Sequence, residues 1–252
     1  MAKATILIGT SGWSYRHWRS KFYPKDLKAD QLLSYYGQHF QTVEINNTFY
    51  RLPKPQTVHN WYHSTPDDFV FAAKLSQFIT HRKRLIADEQ TKQAIDRFYK
   101  TLVHLKQKLA VVLVQLPPNL PQDNQRLDAF LALVRANELD RTSRLAIEFR
   151  HPSWFNDGTF AILSQHNIAN VTAHSSNKEV ISKVLTADFA YLRFHSSGRL
   201  YSSSYSNNEL DYWAKYIMRI QPKLRHIYIY FNNDTRGYAI KNAQYLRGKI
   251  QP

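Results

Sequence analysis

Ionisable and amide side chains recur where short apolar runs end: Glu44 and Asn46, Lys74, Gln115, Glu148 and Arg150, Thr172 and His174, Arg193 and His195, and Asn232. Within each pair the spacing is two residues, the period that puts side chains on one face of a β-strand. Lys74 follows Ala72, Gln115 follows Leu113 and Asn232 follows Tyr230 at the same spacing. A charge buried in such a place needs a partner or a ligand. Glu44 or Glu148 can serve as general base and His195 as acid or base, with Lys74 as a fourth catalytic candidate. Arg150, Arg193 and Lys74 can hold an anion, the arginines through paired donors that match phosphate and carboxylate. Asn46, Gln115 and Asn232 add neutral hydrogen bonds to a substrate.

Three cations against two carboxylates leave a surplus of one positive charge with the histidines neutral. A site for several divalent cations carries more carboxylates than cations. The expected ligand is therefore a small anionic or phosphorylated molecule, and no cofactor is expected. A single divalent metal on Glu44, Glu148 and His195 stays open, although no HExxH or EF-hand spacing accompanies it. The plainer alternative is a structural network in which Glu44 pairs with Lys74 and Glu148 with Arg193.

Aromatic residues crowd the same strand ends: Trp13, Tyr15, Trp18, Phe22 and Tyr23, then Phe49 and Tyr50, Trp154 and Phe155, and Tyr201 and Tyr205. Most are expected to pack long loops. Trp13 and Tyr50 are the candidates for stacking on a ligand. A basic run, Thr80-His81-Arg82-Lys83-Arg84, follows the third strand and can start a solvated helix or track a phosphate backbone.

Eight strands are needed to position these residues, and eight apolar or aromatic runs supply them: 5–9, 42–45, 69–73, 110–116, 144–149, 169–172, 189–194 and 227–231. Several are apolar throughout, as strands of a parallel sheet covered on both faces are. Helical periodicity fills the gaps at 30–38, 55–63, 90–108, 124–135, 207–220 and 238–246, with a short segment near 179–183. The alternation without a linker predicts one TIM (β/α)₈ barrel over residues 1–252, an α/β fold of a single domain. Sites in such barrels lie at the C-terminal mouth, where the polar residues above fall. An open doubly wound sheet is the alternative, but only 7 glycines are present and no GxGxxG or P-loop motif.

The 252 residues suit one barrel, and 43 % hydrophobic content suits a large core. With no cysteine there is no disulfide, thiolate metal site or cysteine nucleophile. No apolar run reaches 18 residues, so no membrane partner is expected. The opening Met-Ala-Lys-Ala-Thr-Ile-Leu-Ile-Gly reads as a buried strand rather than a signal peptide, and the chain as soluble and cytoplasmic. A net charge of +15 favours anionic partners, nucleic acid among them.

The chain resembles the YecE-like family, domain of unknown function seventy-two. The matching stretches are Gly9-Thr-Ser-Gly-Trp-Ser-Tyr15 with Phe22-Tyr23-Pro24, Val43-Glu-Ile-Asn-Asn-Thr-Phe-Tyr-Arg-Leu-Pro53, and Phe71-Ala-Ala-Lys74 with Ile79-Thr80-His81. Gln115-Leu-Pro-Pro118, Glu148-Phe-Arg-His-Pro-Ser-Trp154, Tyr191-Leu-Arg-Phe-His195 and Tyr230-Phe-Asn-Asn-Asp234 continue them. The resemblance implies a TIM barrel similar to the xylose-isomerase and endonuclease-IV group, and no particular reaction. It also implies a glycine after the histidine of Arg193-Phe-His-Ser-Ser197, where serine stands here.

Three functions follow as expectations. One is an enzyme, of hydrolase or isomerase type, acting on an anionic substrate at the mouth. The second is a nucleic-acid-binding protein, with or without phosphodiester hydrolysis. The third is a glycoside hydrolase using Glu44 and Glu148, which requires carboxyl groups roughly 5 to 10 Å apart.

Overall fold

The computed structural model describes residues 3–137, 143–175, 182–196 and 203–250. All strands run parallel in one sheet. They are β1 (Thr5–Ser11), β2 (Thr42–Ile45), β3 (Val70–Lys74), β4 (Leu109–Gln115), β5 (Arg144–Glu148), β6 (Ala169–Asn170), β7 (Thr172–His174), β8 (Phe189–Phe194) and β9 (His226–Phe231). The order is β6-β5-β4-β3-β2-β1-β9-β8-β7. The short β6 and β7 are two halves of the expected sixth strand: β6 pairs with β5 and β7 with β8. The Val171 amide between them donates to the Ile147 carbonyl at 2.9 Å. The sheet thus closes into a single barrel of eight staves.

Alternation divides the core in two. Ala72, Val111, Leu113, Ala146, Ala169, Val171, Ala173, Tyr191, Tyr228 and Tyr230 pack inside the barrel. Ile6, Ile8, Val43, Ile45, Val112, Val114, Leu145, Ile147, Leu192, Phe194, Ile227 and Ile229 face the helices. Large tyrosines on β8 and β9 share the interior with small alanines on β3, β5, β6 and β7, the mixture of sizes that fills a small barrel. The same alternation fixes which side chains emerge at the mouth.

The outer layer consists of α1 (Leu32–His39), α2 (Pro55–His63), α3 (Glu89–Leu102), α4 (Asn124–Arg135), α5 (Asp157–Gln165), α6 (Asn207–Ile220) and α7 (Tyr238–Ile250). Their starts are locally encoded. Asp88, Asp123 and Asn156 accept the backbone N–H of Thr91, Arg126 and Thr159, and Ser206 forms a capping box with Glu209. Pro55 opens α2.

Three differences from expectation have physical causes. The segment 90–108 is not one helix: α3 ends at Leu102 and a 3₁₀ stretch runs over Val103–Lys108, in which Lys106 has φ 49°. Leu105 keeps the helical spacing of the apolar face and so conceals the break. Helix α5 is not expected from periodicity, because its apolar residues Phe160-Ala161-Ile162-Leu163 run consecutively instead of recurring at helical spacing; the signal is the Asn156 cap. On the sixth stave the inward residues are Ala169, Val171 and Ala173, so Thr172 and His174 do not face the mouth. His174 packs outward, its Nδ1 2.9 Å from the Tyr205 hydroxyl and its ring 5.3 Å from Trp213. Of the expected segment near 179–183, residues 182 and 183 are not helical and the rest lies outside the described residues, as do Ser197 and Tyr201.

Candidate functional site

Arg193 on β8 joins the carboxylates of two distant staves. Its Nε and Nη2 donate to Glu44 Oε2 and Oε1 at 2.9 and 2.7 Å, and its Nη1 donates to Glu148 Oε2 at 2.5 Å. Glu44 also accepts from Ser11 Oγ at 2.7 Å and from Tyr191 OH at 2.6 Å. Arg150 Nη2 pairs with Glu148 Oε1 and lies 3.1 Å from His195 Nε2. Asn232 Nδ2 lies 3.2 Å from His195 Nδ1. Glu44, Glu148 and His195 have no exposed surface, and Arg193 is 1 % exposed.

The charges in this cluster set one another. Burial pushes the Glu44 carboxyl up, but Arg193, with hydrogen bonds from Tyr191 and Ser11, outweighs it and leaves Glu44 below its ordinary value. Burial acts likewise on Glu148, and Arg150 and Arg193 overcome it, holding it well below the carboxylate range. Burial pushes the imidazole of His195 down to about 4, partly opposed by its contact with Glu148. His195 is therefore neutral at pH 7. The unfolded chain binds its proton below about pH 6.5 and the folded chain only below about 4, so stability falls as pH drops through that window. The lost contribution is about 3 kcal/mol. Urea unfolding of His195→Gln between pH 6.5 and 4.5 should show a shallower pH slope than wild type; equal slopes would refute the assignment.

Two carboxylates and two guanidiniums cancel, which leaves Lys74 as the net charge of the group. Its ammonium, at the end of β3, has no hydrogen-bond or ion-pair partner among the described residues. It sits 3.9 Å above the centre of the Phe49 ring. Burial, assisted by Arg193, pushes it down to about 8 against the opposing pull of Glu148 and Glu44. A second buried lysine shows what structural satisfaction looks like in this chain: Lys108 Nζ donates to Tyr62 O, Thr65 O and Thr65 Oγ1 at 2.8, 2.9 and 3.2 Å.

Lys74 opens on a cavity of about 390 Å³ at the mouth, lined by Asn46, Phe49, Tyr50, Lys74, His81, Gln115, Arg193 and Asn232. Six sequence candidates therefore converge: Asn46, Tyr50, Lys74, Gln115, Arg193 and Asn232. Glu44 lies one inward position deeper than Asn46 on the same stave, and it is sealed with Glu148 and His195 beneath the cavity. Trp13 lies apart, against a separate space of about 190 Å³ that shares Asn46, with its ring 5.3 Å from Trp61 and edge-on to it. Tyr50 is 78 % exposed at the rim. The Asn46 Oδ1 and Arg150 Nε atoms are buried without a hydrogen-bond partner, so the mouth retains unused polar capacity.

Several expected roles change with this geometry. Lys74 does not pair with Glu44; the partner is Arg193 from across the barrel. The donor forks of Arg193 are occupied by Glu44 and Glu148, so the cation left for an anion is Lys74. Both carboxyls are held ionised by guanidinium groups, whereas glycoside hydrolysis needs one of them protonated. The guanidinium also stands between Glu44 and Glu148, and among the described residues no three His, Asp or Glu side chains gather as a metal-binding group. Trp18, Tyr23, Trp154 and Tyr205 are buried as packing. In the basic run, Lys83 pairs with Asp88 and Arg84 donates to the Asn119 carbonyl.

Sequence reading gives no role to Ser11 and Tyr191, and meets Phe49 and His81 only among the strand-end aromatics and in the basic run. Ser11 and Tyr191 hold Glu44, and Tyr191 precedes Arg193 by two residues, a spacing that could have revealed it. Phe49 supports Lys74. His81 lines the cavity with its ring 5.0 Å from Phe49 and its Nδ1 2.9 Å from Thr80 Oγ1. Burial and the nearby Lys74 and Arg150 charges hold His81 below its ordinary value.

A family model described as a protein of unknown function, DUF72, matches residues 7–252. The chain belongs to the DUF72 family. The UPF0759 protein YunF of Bacillus subtilis is 25 % identical over 268 aligned residues, covering 96 % of this chain and 93 % of YunF. The UPF0759 protein YecE of Escherichia coli is 30 % identical over 154 residues, covering 61 % of this chain and 51 % of YecE. The crystal structure of a DUF72 protein from Thermotoga maritima superposes with a TM-score of 0.86 at 26 % identity, covering 98 % of this chain and all of that one. The DUF72 stretches identified in the sequence supply both layers of the mouth. Val43–Pro53 carries Glu44, Asn46, Phe49 and Tyr50, and 71–81 carries Lys74 and His81. Among the described residues, no helix of this DUF72 chain is long and apolar enough to cross a membrane.

Proposed function

We propose that this chain is a cytoplasmic enzyme acting on a small substrate with a phosphate or carboxylate group, bound at the C-terminal mouth of the barrel. What carries this reading is the Lys74 ammonium, which faces a polar cavity with no acceptor bonded to it among the described residues. A half-buried cation left unpaired is costly, and a bound anion is the partner that offsets the cost. Asn46, Gln115 and Asn232 offer the neutral hydrogen bonds that orient such a group. His81 is the cavity-lining acid or base. Glu44, Glu148, Arg150, Arg193 and His195 form a rigid, charge-balanced base under the cavity and position its walls.

Inorganic phosphate and malonate, each compared with chloride at equal ionic strength, should raise the thermal midpoint of the wild-type protein. Binding to the native state alone adds RT ln(1 + [L]/Kd), about 2.7 kcal/mol at a hundredfold excess over Kd. The increment should vanish in Lys74→Met and weaken as pH rises through about 8, where Lys74 loses its proton. If neither anion shifts the midpoint, or if Lys74→Met keeps the shift, the reading fails.

Nucleic acid is the second reading, favoured by Tyr50 standing exposed beside the cavity and by the net charge of +15. It requires single-stranded oligonucleotide binding that falls steeply with salt and weakens in Tyr50→Ala.

A further inference from the structure

An ammonium held only by an aromatic ring is also a lysine poised to lose its proton. Lysines that serve as amine nucleophiles are made reactive by desolvation and by neighbouring positive charge. Both conditions meet at Lys74. It is half-buried, it lies on the Phe49 face, and the Arg193 and Arg150 guanidiniums are near enough to oppose its charge. Lys108 shows that the fold provides oxygen acceptors where a lysine is structural. At Lys74 none is bonded among the described residues, and the cavity beside it holds about 390 Å³.

We propose that Lys74 is a catalytic nucleophile that forms an imine with the carbonyl carbon of a small aldehyde, ketone or 2-oxo acid bearing a phosphate or carboxylate. The proposal rests on the anionic-substrate reading above and adds the reacting bond. The lone pair of neutral Lys74 Nζ attacks the carbonyl carbon, and the C=O π pair moves to oxygen. The nitrogen loses a proton to His81 and the oxygen gains one from solvent water, giving a carbinolamine. His81 then returns its proton to that oxygen, which leaves as water with its bonding pair while the nitrogen lone pair forms the C=N bond of the protonated imine. Overall one proton is taken up and one water is released, and nothing is oxidised or reduced. His81 lines the same cavity and its Nδ1 lies within reach of Thr80. Its Nε2 makes no hydrogen bond among the described residues, so it is the atom that takes the proton from nitrogen and returns it to the departing oxygen. The protonated imine keeps the positive charge at the former Lys74 Nζ, so the anionic group of the substrate stays neutralised after the bond has formed.

The magnitude makes the proposal testable. A lysine titrating near 8 is roughly 10 % neutral at pH 7, against roughly 0.03 % for an ordinary one near 10.5, a difference of roughly 300-fold in available amine. Wild-type protein is incubated with pyruvate, and separately with glycolaldehyde phosphate, in the presence of cyanoborohydride, and reduced adducts are located by peptide mass mapping. At pH 7, Lys74 should be labelled on the order of a hundredfold faster than exposed lysines such as Lys25 and Lys28. Its rate should climb until about pH 8 and then level off. Excess phosphate should slow labelling at Lys74 alone. Lys74→Arg should keep the phosphate-dependent rise in thermal midpoint and lose the privileged adduct, a pattern that supports both statements. If both probes label Lys74 no faster than the exposed lysines while phosphate still raises the midpoint, the nucleophile proposal is overturned and anion binding stands. If phosphate has no effect either, both fall.

Discussion

Replacing Arg193 with methionine is expected to destabilise the barrel by about 3–5 kcal/mol, the cost of removing one partner from a buried ion network. For a chain of this size that corresponds to a fall of roughly 10 °C in thermal midpoint. Among the described residues, the guanidinium is the only group bonding both the Glu44 and the Glu148 carboxylates. Without it, two carboxylates with no exposed surface lose their compensation, and only Arg150 remains at one of them. Protonating the carboxylates should relieve the variant, so its deficit should shrink as pH falls below about 5. Adding Glu44→Gln and Glu148→Gln to Arg193→Met should recover much of the loss, because neutral amides carry no charge to strand. Equilibrium unfolding in urea at pH 7 measures all three effects. If Arg193→Met alone unfolds at the wild-type denaturant concentration, the network is not what holds the mouth together.

That network also marks where sequence reading stops. Period-two spacing suffices to place Glu44 with Asn46, Glu148 with Arg150 and Arg193 with His195, because each pair lies on one stave and faces the same way. It says nothing about which stave lies across the barrel, and the Glu44–Arg193 contact joins residues 149 apart. Neighbouring strands favour a pair between Glu44 and Lys74, yet the interior is only as wide as the side chains that fill it. Arg193, the longer cation, reaches both acids and leaves Lys74 the outer position. The sixth stave misled for a related reason. Ala169 and Ala173 fill the barrel interior together with the tyrosines of β8 and β9, so the smallest residues face inward and the polar Thr172 and His174 face the helix layer. Alanine carries too little hydrophobic contrast for alternation alone to settle the face. Trp13 was set beside the mouth by its place after β1, but its ring turns to Trp61 on α2, a tertiary choice that strand order does not encode.

Lys74→Met should stabilise the protein while abolishing its response to anions. At pH 7 wild-type Lys74 is held protonated in a place that disfavours the charge. Its folded value of about 8 lies below the ordinary 10.5 of the unfolded chain, so the folded state binds fewer protons between those values. Wild-type stability must therefore rise as pH increases from about 8 to about 10.5, and below that window the penalty is present in full. Methionine retains most of the side-chain volume over Phe49 and removes the charge. The expected gain is about 1–3 kcal/mol near neutrality, discounted for the part of the ammonium that water reaches. The advantage over wild type should shrink towards zero by about pH 10.5. Lys108→Met gives the opposite sign, since it removes the ammonium donor from Tyr62 O, Thr65 O and Thr65 Oγ1. Urea midpoints for the two variants across pH 7 to 10.5 distinguish a lysine kept for a ligand from one kept for the fold. A Lys74→Met protein as unstable as Lys108→Met would make Lys74 structural and remove the ground for both the anion site and the imine. A protein more stable than wild type but unresponsive to phosphate would show stability given up at one residue for function, as active sites commonly require.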